Sequence, residues 1–325
     1  AITTILALVA AFAISAGLIA LAGANPIAAY QALFHGAFGS TAAILETLVK
    51  ATPLIFTSLA VVITFRAKVW NIGAQGQFYG GAIGAYLAYG FVSGLSAWIV
   101  FPIIALGAIL GGGLFGALAG YLKARFAVSE VLSTVMLNYV MHYLVSYLLL
   151  NVWRDPASVY QQTPLITGNA TLPLLVTDSR LHGGILLAIV MAVLVYVLMN
   201  KTYLGYRIRA VGLNPKAARF KGISPGKIGV IVMFLGGALA GLGGAVEVFG
   251  LVYRVKGDLS GNVGFQGIIC AMIAGLNPLA VVPVDRPEPV LVIRLDGDSG
   301  LEKGLESVGE CFGRRHGSAH TDEWA

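Results

Sequence analysis

Residues 183–227 read GGILLAIVMAVLVYVLMNKTYLGYRIRAVGLNPKAARFKGISPGK, and this stretch decides the kind of fold that the chain adopts. Its first part, 183–200, carries no charge and is close to the length of about 20 apolar residues that crosses a bilayer as a helix. Its second part, 201–227, holds seven Lys or Arg and no Asp or Glu. An apolar run followed by a basic segment indicates a membrane span that ends in the cytoplasm.

The composition of the whole chain favours a membrane protein. Of the 325 residues, 57% are hydrophobic and only 11% are charged, about half the share of a soluble domain. A soluble core cannot hide so much apolar surface. The 42 glycines suit membrane helices that pack through small residues, as at the four-residue spacing of Gly112, Gly116 and Gly120 and of Gly237 and Gly241.

Apolar runs predict an all-α, polytopic fold with about eight transmembrane helices. The runs lie at 1–22, 43–65, 77–93, 97–121, 129–151, 183–200, 228–250 and 264–284. A cleaved signal peptide is the alternative for the first run, but the run has no basic leader and is long for that role. Residues 27–38 are expected to form a short interfacial helix.

The basic residues predict the orientation. With the N-terminus in the cytoplasm, the outer connection 23–42 contains no Lys or Arg, and 152–182 contains only Arg154 and Arg180. The inner connections then hold Arg66 with Lys68, Lys123 with Arg125, and the seven cations of 201–227. This distribution obeys the positive-inside rule. We therefore expect a multi-pass protein of the plasma (inner) membrane.

A short capped helix is predicted inside the basic segment. Asn214 is a good N-cap, Pro215 suits the first helical position, and Gly222 suits the residue after the C-cap. The helix between them, 216–221, is too short to be stable alone, so docking into the groove of a partner protein would explain it. An ordinary positive-inside loop is the alternative.

A polar break interrupts the apolar pattern between the second and third runs. Asn71, Gln75 and Gln77 offer paired donors and acceptors that suit neutral hydroxylated or heterocyclic solutes. Backbone in such a break must line protein or water, because it cannot face hydrocarbon unsatisfied. We expect these three amides to line a substrate pathway, and a cytoplasmic turn is the alternative.

A few polar or ionisable side chains inside the runs are further pathway candidates. His142 lies in the middle of its run with Asn138 one turn before it, and Glu247 lies near the outer end of another. For His142, a packing role is the alternative. Glu46 and Glu130 lie at the ends of runs, where they reach headgroups.

Several kinds of site are excluded. The sequence 222–228, GISPGKI, resembles a phosphate-binding loop but has the wrong glycine spacing and no Ser or Thr after the lysine, so any ATP hydrolysis would take place on another polypeptide. We predict no cofactor and no metal, since His316 and His320 alone are weak evidence for a metal site. We see neither a catalytic nucleophile–base set nor a basic surface with interleaved aromatics for nucleic acid.

Two segments resemble one transporter family. Residues 209–223, RAVGLNPKAARFKGI, resemble the branched-chain amino-acid/simple-sugar permeases of ATP-binding-cassette (ABC) importers. Residues 65–77, FRAKVWNIGAQGQ, are similar to a segment of the nucleoside/simple-sugar subgroup, in which Glu is common at the position of Gln75. The resemblance extends from residue 1 to about 284.

The resemblance implies the transmembrane permease subunit of an ATP-driven importer for nucleosides or simple sugars, a transporter subunit and not an enzyme. Its partners would be ABC ATPase subunits, a second permease subunit and an extracytoplasmic solute-binding protein. The predicted coupling residues are Arg209, Asn214, Pro215, Ala217, Ala218, Arg219 and Gly222. A stand-alone secondary carrier or channel is the first alternative, and a membrane scaffold or enzyme is the second.

The end of the chain breaks the pattern. Residues 285–325 hold fourteen charged side chains in 41 residues, so we divide the chain into a transmembrane domain, 1–284, and a weakly ordered cytoplasmic tail, 285–325. Similar permeases continue with apolar helices past Asn277. A shift of reading frame near residue 284 is our hypothesis for the change, and a natural variant tail is the alternative.

Overall fold

The computed structural model describes residues 2–23, 25–177, 179–259 and 261–284. The charged tail predicted at 285–325 lies outside them. Within the described residues the chain is helical, with two isolated β-bridges and no β-strand. Residues 2–29 belong to one compact unit and residues 30–284 to another, and the features discussed below lie in the second.

Twelve α-helices form in the described residues. They are α1 (Ile2–Leu21), α2 (Pro26–Phe38), α3 (Thr41–Arg66), α4 (Ala74–Val92), α5 (Ala97–Phe126), α6 (Glu130–Tyr147), α7 (Gly184–Lys201), α8 (Tyr203–Leu213), α9 (Pro215–Phe220), α10 (Pro225–Glu247), α11 (Val263–Ile273) and α12 (Pro278–Val284). Short π-helical turns, Leu148–Val152 and Val248–Val252, extend α6 and α10.

Five of the predicted spans are confirmed as helices long and apolar enough to cross a membrane. They are Thr41–Arg66, Ala97–Phe126, Glu130–Val152, Gly184–Lys201 and Pro225–Val252. The count among the described residues is six if the apolar helices Phe12–Leu21 and Pro26–Phe38 are taken together as one broken span. The all-α, polytopic membrane fold is therefore confirmed, although fewer than eight helices meet the criterion.

The missing spans have different physical reasons. Helix α4 covers the third predicted run and, at about 28 Å, has nearly the length of a span, but polar and glycine residues in its first turns lower its hydropathy. The last predicted span, 264–284, is wrong as a continuous helix. The chain turns after Ile273, where Gly275 and Leu276 take positive φ angles of 59° and 57°, and a short second helix, α12, follows.

Glycines let the central helices α4, α5 and α10 approach until their backbones touch. A Cβ atom at Gly81 would collide with the backbone of Gly241, and one at Gly112 would collide with the carbonyl of Gly237. Side chains any larger would push the helices apart. The close helix packing expected from the glycine spacing is therefore confirmed, and α3 packs against the same core.

The loops lie at two opposite ends of the bundle, as expected when successive spans run in alternating directions. At one end, the loop end, the connection 153–183 contacts the N-terminal part of α3 through the Arg180–Glu46 ion pair, and its Asn169 amide donates to the carbonyl of Leu95. At the other, the basic end, Arg66 donates to the carbonyl of Leu276 at 3.0 Å. All seven cations of 201–227 belong to segments at the basic end.

A buried histidine holds the loop end against α7 and α10. His182 is 1% exposed, and its Nδ1 accepts a hydrogen bond from the backbone N–H of Gly184 at 3.1 Å. Gly184 and Gly250 lie directly against its ring. Burial lowers the pKa of His182 to about 4, so the imidazole is neutral at pH 7.

Candidate functional site

A cavity of about 950 Å³ runs from the loop end into the middle of the bundle, between the first turns of α4, the centre of α6 and residues 256–258, 262 and 265. Polar and aromatic side chains dominate its wall. The amides are Gln75, Asn138, Gln161, Gln162 and Asn262, the aromatic rings are Tyr79, Tyr139, Tyr160 and Phe265, and the charged or ionisable groups are His142, Lys256 and Asp258.

One wall of the cavity is a segment that returns from the loop end into the bundle. After the π-helical turn at Val248–Val252, residues 253–259 and 261–262 contain turns but no helix, and we call them the descending segment. The Tyr79 hydroxyl donates to the carbonyl of Gly257 at 2.8 Å and accepts from the N–H of Leu259 at 3.0 Å. Deeper in the bundle, Gln75 Oε1 accepts from the N–H of Gly264 at 2.9 Å. The bonds of Tyr79 satisfy non-helical backbone, and the bond of Gln75 satisfies an N–H in the first turn of α11, as a bilayer environment requires.

The loop 153–166 is fastened to the top of this descending segment. Thr163 and Val255 exchange two hydrogen bonds. The Thr163 N–H donates to the Val255 carbonyl at 3.1 Å, and the Val255 N–H donates to the Thr163 hydroxyl at 3.0 Å. Arg254 and Asp155 form an ion pair at 2.8 Å in which both side chains are largely buried. Because Gln161 and Gln162 belong to this loop, the same contacts place them at the cavity mouth.

Two of the predicted pathway amides, Asn71 and Gln77, lie behind the cavity wall. Their side chains exchange two hydrogen bonds, at 2.9 and 3.0 Å, and both are buried. Asn71 Oδ1 also accepts from the N–H of Gly73 at 3.0 Å. The two side chains therefore bond to each other across the polar break between α3 and α4.

Three other predicted pathway residues, Gln75, Asn138 and His142, line the cavity together. The Asn138 side chain bonds to the backbone of the polar break at two points. Its Oδ1 accepts from the N–H of Gly76 at 2.8 Å, and its Nδ2 donates to the carbonyl of Ile72 at 3.0 Å. His142 and Ser146 follow at successive turns of α6 and continue the polar stripe toward the loop end.

The carboxylates in the spans do not join the cavity. Glu247 is half-buried at the C-terminal end of α10 and is absent from the lining. Glu46 pairs with Arg180 at 2.5 Å, and Glu130 pairs with Lys123 at 2.6 Å. Glu130 thus begins α6 and Glu46 lies in the second turn of α3, each beside a cation, and their contact with headgroups stays a prediction.

The capped helix is confirmed in detail. Asn214 Oδ1 accepts from the N–H groups of Lys216 and Ala217 at 3.0 and 3.1 Å, and Pro215 occupies the first helical position of α9. Gly222 follows the C-cap with a φ of 75°, a left-handed conformation that favours glycine.

The two alanines of α9 do not share one surface. Ala218 is 3% exposed and packs onto the chain itself, whereas Ala217 faces outward. Two large apolar residues that the sequence analysis missed flank Ala217: Leu213 is 82% exposed and Phe220 is 94% exposed. We call Leu213, Ala217 and Phe220 the docking face. Leu213 ends α8 and Phe220 ends α9, so helical spacing does not relate them, and two large apolar residues beside the predicted caps of a basic segment are the signal that could have identified them.

Helix α9 is joined to the spans through α8. Arg209 on α8 donates to the carbonyl of Met199 near the end of α7, so its guanidinium is engaged within the chain. Gly212 on α8 lies directly against the carbonyl of Arg66, the last residue of α3. The polar break begins immediately after Arg66. A continuous set of contacts therefore joins α9 to the cavity.

Sequence reasoning missed most of the cavity residues outside α4 and α6. Gln161 and Gln162 are adjacent amides in a loop, and that pairing was the available signal. Lys256, Asp258 and Asn262 carry no such signal, because only the long-range contacts of Tyr79 and Gln75 bring their segment into the bundle.

Comparisons with known proteins agree with the fold and the motifs. The family described as the branched-chain amino acid transport system permease component matches residues 43–284. A guanosine ABC transporter permease of Bacillus subtilis is 36% identical, over 86% of this chain and 80% of its own length. A nucleoside ABC transporter permease of Lactococcus lactis is 33% identical, over 86% and 79%.

A third relative is a glucose ABC transporter permease of Haloferax volcanii, which is 32% identical over 83% of this chain and 74% of its own length. No solved structure matches the chain significantly. Membership of the family implies that ABC ATPases and a substrate-binding protein work with the chain. The chain belongs to the branched-chain amino acid transport system permease family and is a multi-pass permease subunit of an ABC importer.

Proposed function

We propose that the chain conducts nucleosides, and that the cavity beside α6 is where the solute binds. The observation that carries this proposal is the combination of aromatic rings and amides on one cavity wall. Tyr139, Tyr160 and Phe265 offer faces on which a base can stack. The amides can bond to the edge of a base and to ribose hydroxyls.

The size and charge of the cavity support a neutral solute of this class. A volume of about 950 Å³ lies within the range of small-molecule sites. Lys256 and Asp258, which have opposite charges, both come from the descending segment, and the remaining wall carries no Lys, Arg, Asp or Glu. The names of two relatives, a guanosine and a nucleoside permease, support the same class.

A simple sugar is the second candidate. The amides of the cavity would bond to sugar hydroxyls as readily as to ribose, and one relative is named as a glucose permease. The aromatic faces favour the nucleoside, because a planar base gains more from stacking than a sugar ring does.

We propose that the basic end faces the cytoplasm and that the docking face of α9 binds an ABC ATPase. The seven cations of 201–227 support this orientation. The exposed side chains of Leu213 and Phe220 support the docking, because a soluble partner would remove them from water. The loop end, where the cavity opens, would then receive the solute-binding protein.

A second permease chain is proposed to cover α6. This helix is the least buried of the five spans, and its polar stripe of Asn138, His142 and Ser146 would be costly against lipid. A partner subunit there would close the side of the cavity. Either a second copy or a related chain would serve.

The contacts between α9 and the cavity suggest how ATP drives transport. Closure of the ATPases would move α9, and α8 would carry the motion to Arg66 at the end of α3. The polar break would shift with it, because it follows Arg66 directly. Asn138 brackets that break, so the cavity wall on α6 would respond.

Transport by the reconstituted importer tests the proposal. Proteoliposomes that contain the permease, its ATPase subunits and its binding protein should take up guanosine or uridine when ATP is supplied. Glucose at the same concentration should not compete. ATP-dependent uptake of glucose without nucleoside uptake would show that the solute is a sugar and not a nucleoside. Uptake by this chain alone, driven by an ion gradient, would contradict the ATP-driven mechanism.

A further inference from the structure

A second opening separates α7 from the central helices. It is a groove of about 470 Å³ between α7 on one side and α3, α5 and α10 on the other. Representative wall residues are Ile63, Ile109, Leu194, Leu198, Phe234 and Ala238. The α7 residues that line it run from Met191 to Thr202, so the groove lies in the half of the bundle nearer the basic end.

The groove offers almost nothing to a polar ligand. Thr202 supplies its one hydroxyl, and that group already donates to the carbonyl of Leu198 at 2.6 Å and accepts from the N–H of Gly205 at 3.1 Å. Water needs two to four polar partners to occupy a site in a protein. An acyl chain needs none, and the surrounding bilayer supplies acyl chains at high concentration.

Two cations lie close in sequence to Thr202, the groove residue nearest the basic end. Thr202 lines the groove, exposed Lys201 precedes it, and α8 begins directly after it. Arg207, one turn along α8, packs over the ring of Tyr203 at 5.5 Å. Among the described residues its Nε is the one buried side-chain nitrogen or oxygen atom without a hydrogen-bond partner. No Asp or Glu occurs in 201–227 to neutralise these cations.

We propose that this groove binds one phospholipid with an anionic headgroup. One acyl chain fills the space between α7 and α10, and the phosphate lies against Lys201 and Arg207. Each cation close to an anionic lipid surface contributes about 1 kcal/mol, so two of them distinguish anionic from zwitterionic lipid by more than tenfold. The lipid keeps α7 apart from α10.

The position of this lipid gives it influence over the coupling segment. The end of α7 is bonded to α8 through Arg209 and the carbonyl of Met199, and α8 leads directly to α9. A lipid that holds α7 in place therefore also holds α8 and α9 in place.

Lipid retention by the purified full-length chain tests the proposal without a transport measurement. The chain is incubated in non-ionic detergent with equal amounts of phosphatidylglycerol and phosphatidylcholine, and bound lipids are counted by native mass spectrometry. The wild type should retain one phosphatidylglycerol in preference to phosphatidylcholine. Val197→Trp, which fills the groove, should lose it. Val193→Trp, which changes an exposed α7 position outside the groove, should retain it.

The headgroup contact has its own variant. Arg207→Gln should keep a lipid but lose about fivefold of the preference for phosphatidylglycerol, the change expected for one cation. If Val197→Trp does not fold, Ala238→Phe fills the groove from the opposite wall. Equal retention of both lipids by the wild type would overturn the proposal, and so would unchanged retention in the groove variant. A disulfide between cysteines placed at residue 197 in two copies of the chain would also overturn it, because a second copy would then cover the groove.

Discussion

The cavity and the docking face differ in how they are built. The docking face rests on residues close in sequence: Asn214, Pro215 and Gly222 define α9, and the exposed Leu213 and Phe220 end α8 and α9. The cavity joins residues far apart, since Tyr79 bonds to Gly257 and Leu259, and Gln75 bonds to Gly264. The comparison indicates that the proposed ATPase contact depends on local sequence, whereas the proposed solute site depends on contacts throughout the bundle.

The strongest test of this difference changes the docking face alone. Phe220→Ala combined with Ala217→Glu should lower ATP-dependent uptake by roughly 30-fold or more, because loss of one well-packed anchor at an interface costs about 2 kcal/mol. Solute binding to the permease should stay unchanged. Uptake and equilibrium binding are measured on the same preparation.

Phe91 provides the matched control for Phe220. It is a phenylalanine that is 87% exposed, but it lies near the loop end of α4. Phe91→Ala should leave uptake unchanged. Equal losses for Phe91→Ala and Phe220→Ala would show that the effect reflects general damage and that α9 is not the ATPase contact.

A change in the cavity should have the opposite pattern. Phe265→Ala removes an aromatic face from the wall and should weaken nucleoside binding by about tenfold, since base stacking on an aromatic ring is worth about 1–3 kcal/mol. ATPase activity of the assembled importer should remain. Isothermal titration with guanosine measures the affinity. If glucose binding falls by the same factor as guanosine binding, Phe265 does not act by stacking on the base.

The Asn71–Gln77 pair should affect stability more than affinity. Asn71→Leu leaves the buried Gln77 amide without its partner and should cost about 1–3 kcal/mol of stability. Replacing both residues by Leu should recover part of that loss, because no amide is then left unsatisfied. Thermal unfolding of the single and double variants measures this. A single variant with normal stability but weakened solute binding would instead place Asn71 in the pathway.

His182 should make the loop end sensitive to acid. Its folded-state pKa of about 4 lies below the ordinary value of about 6.5, so the unfolded chain binds a proton more readily between these values. The free energy of unfolding is therefore unaffected by the His182 titration above about pH 6.5. It falls as the pH is lowered toward 4, by at most on the order of 3 kcal/mol.

The His182→Gln variant isolates this effect from other acid-titrating groups. It should flatten the dependence of the unfolding temperature on pH between 6.5 and 4. Identical pH profiles for the variant and the wild type would rule out His182 as the cause.

The sequence predicted features that depend on neighbouring residues. The caps of α9, the five apolar spans and the glycine contacts of α5 and α10 follow from spacing along one helix or from the length of one run. The last predicted span was wrong because apolar composition over 264–284 does not reveal the turn at Gly275 and Leu276. The mutual pairing of Asn71 with Gln77 could not be predicted either, since two amides six residues apart have many geometries.

The site was predictable in part for the same reason. Gln75 was selected as an amide of the polar break, and Asn138 and His142 were selected as polar residues inside an apolar run; all three line the cavity together. Glu247 was selected by the same argument but lies elsewhere, because polarity within a span does not define the direction in which a side chain faces. Lys256 and Asp258 escaped notice, since charged residues in a connection between two apolar runs are ordinary.

Thiol labelling inside the cavity tests most directly the claim that solute enters there and that the ATPases move its wall. Ser146→Cys, with Cys270 and Cys311 replaced by Ala, places one thiol on the polar stripe of α6. In the reconstituted importer, guanosine should slow its reaction with a membrane-impermeant reagent, and a non-hydrolysable ATP analogue should change the rate again. A labelling rate that neither ligand alters would contradict the account.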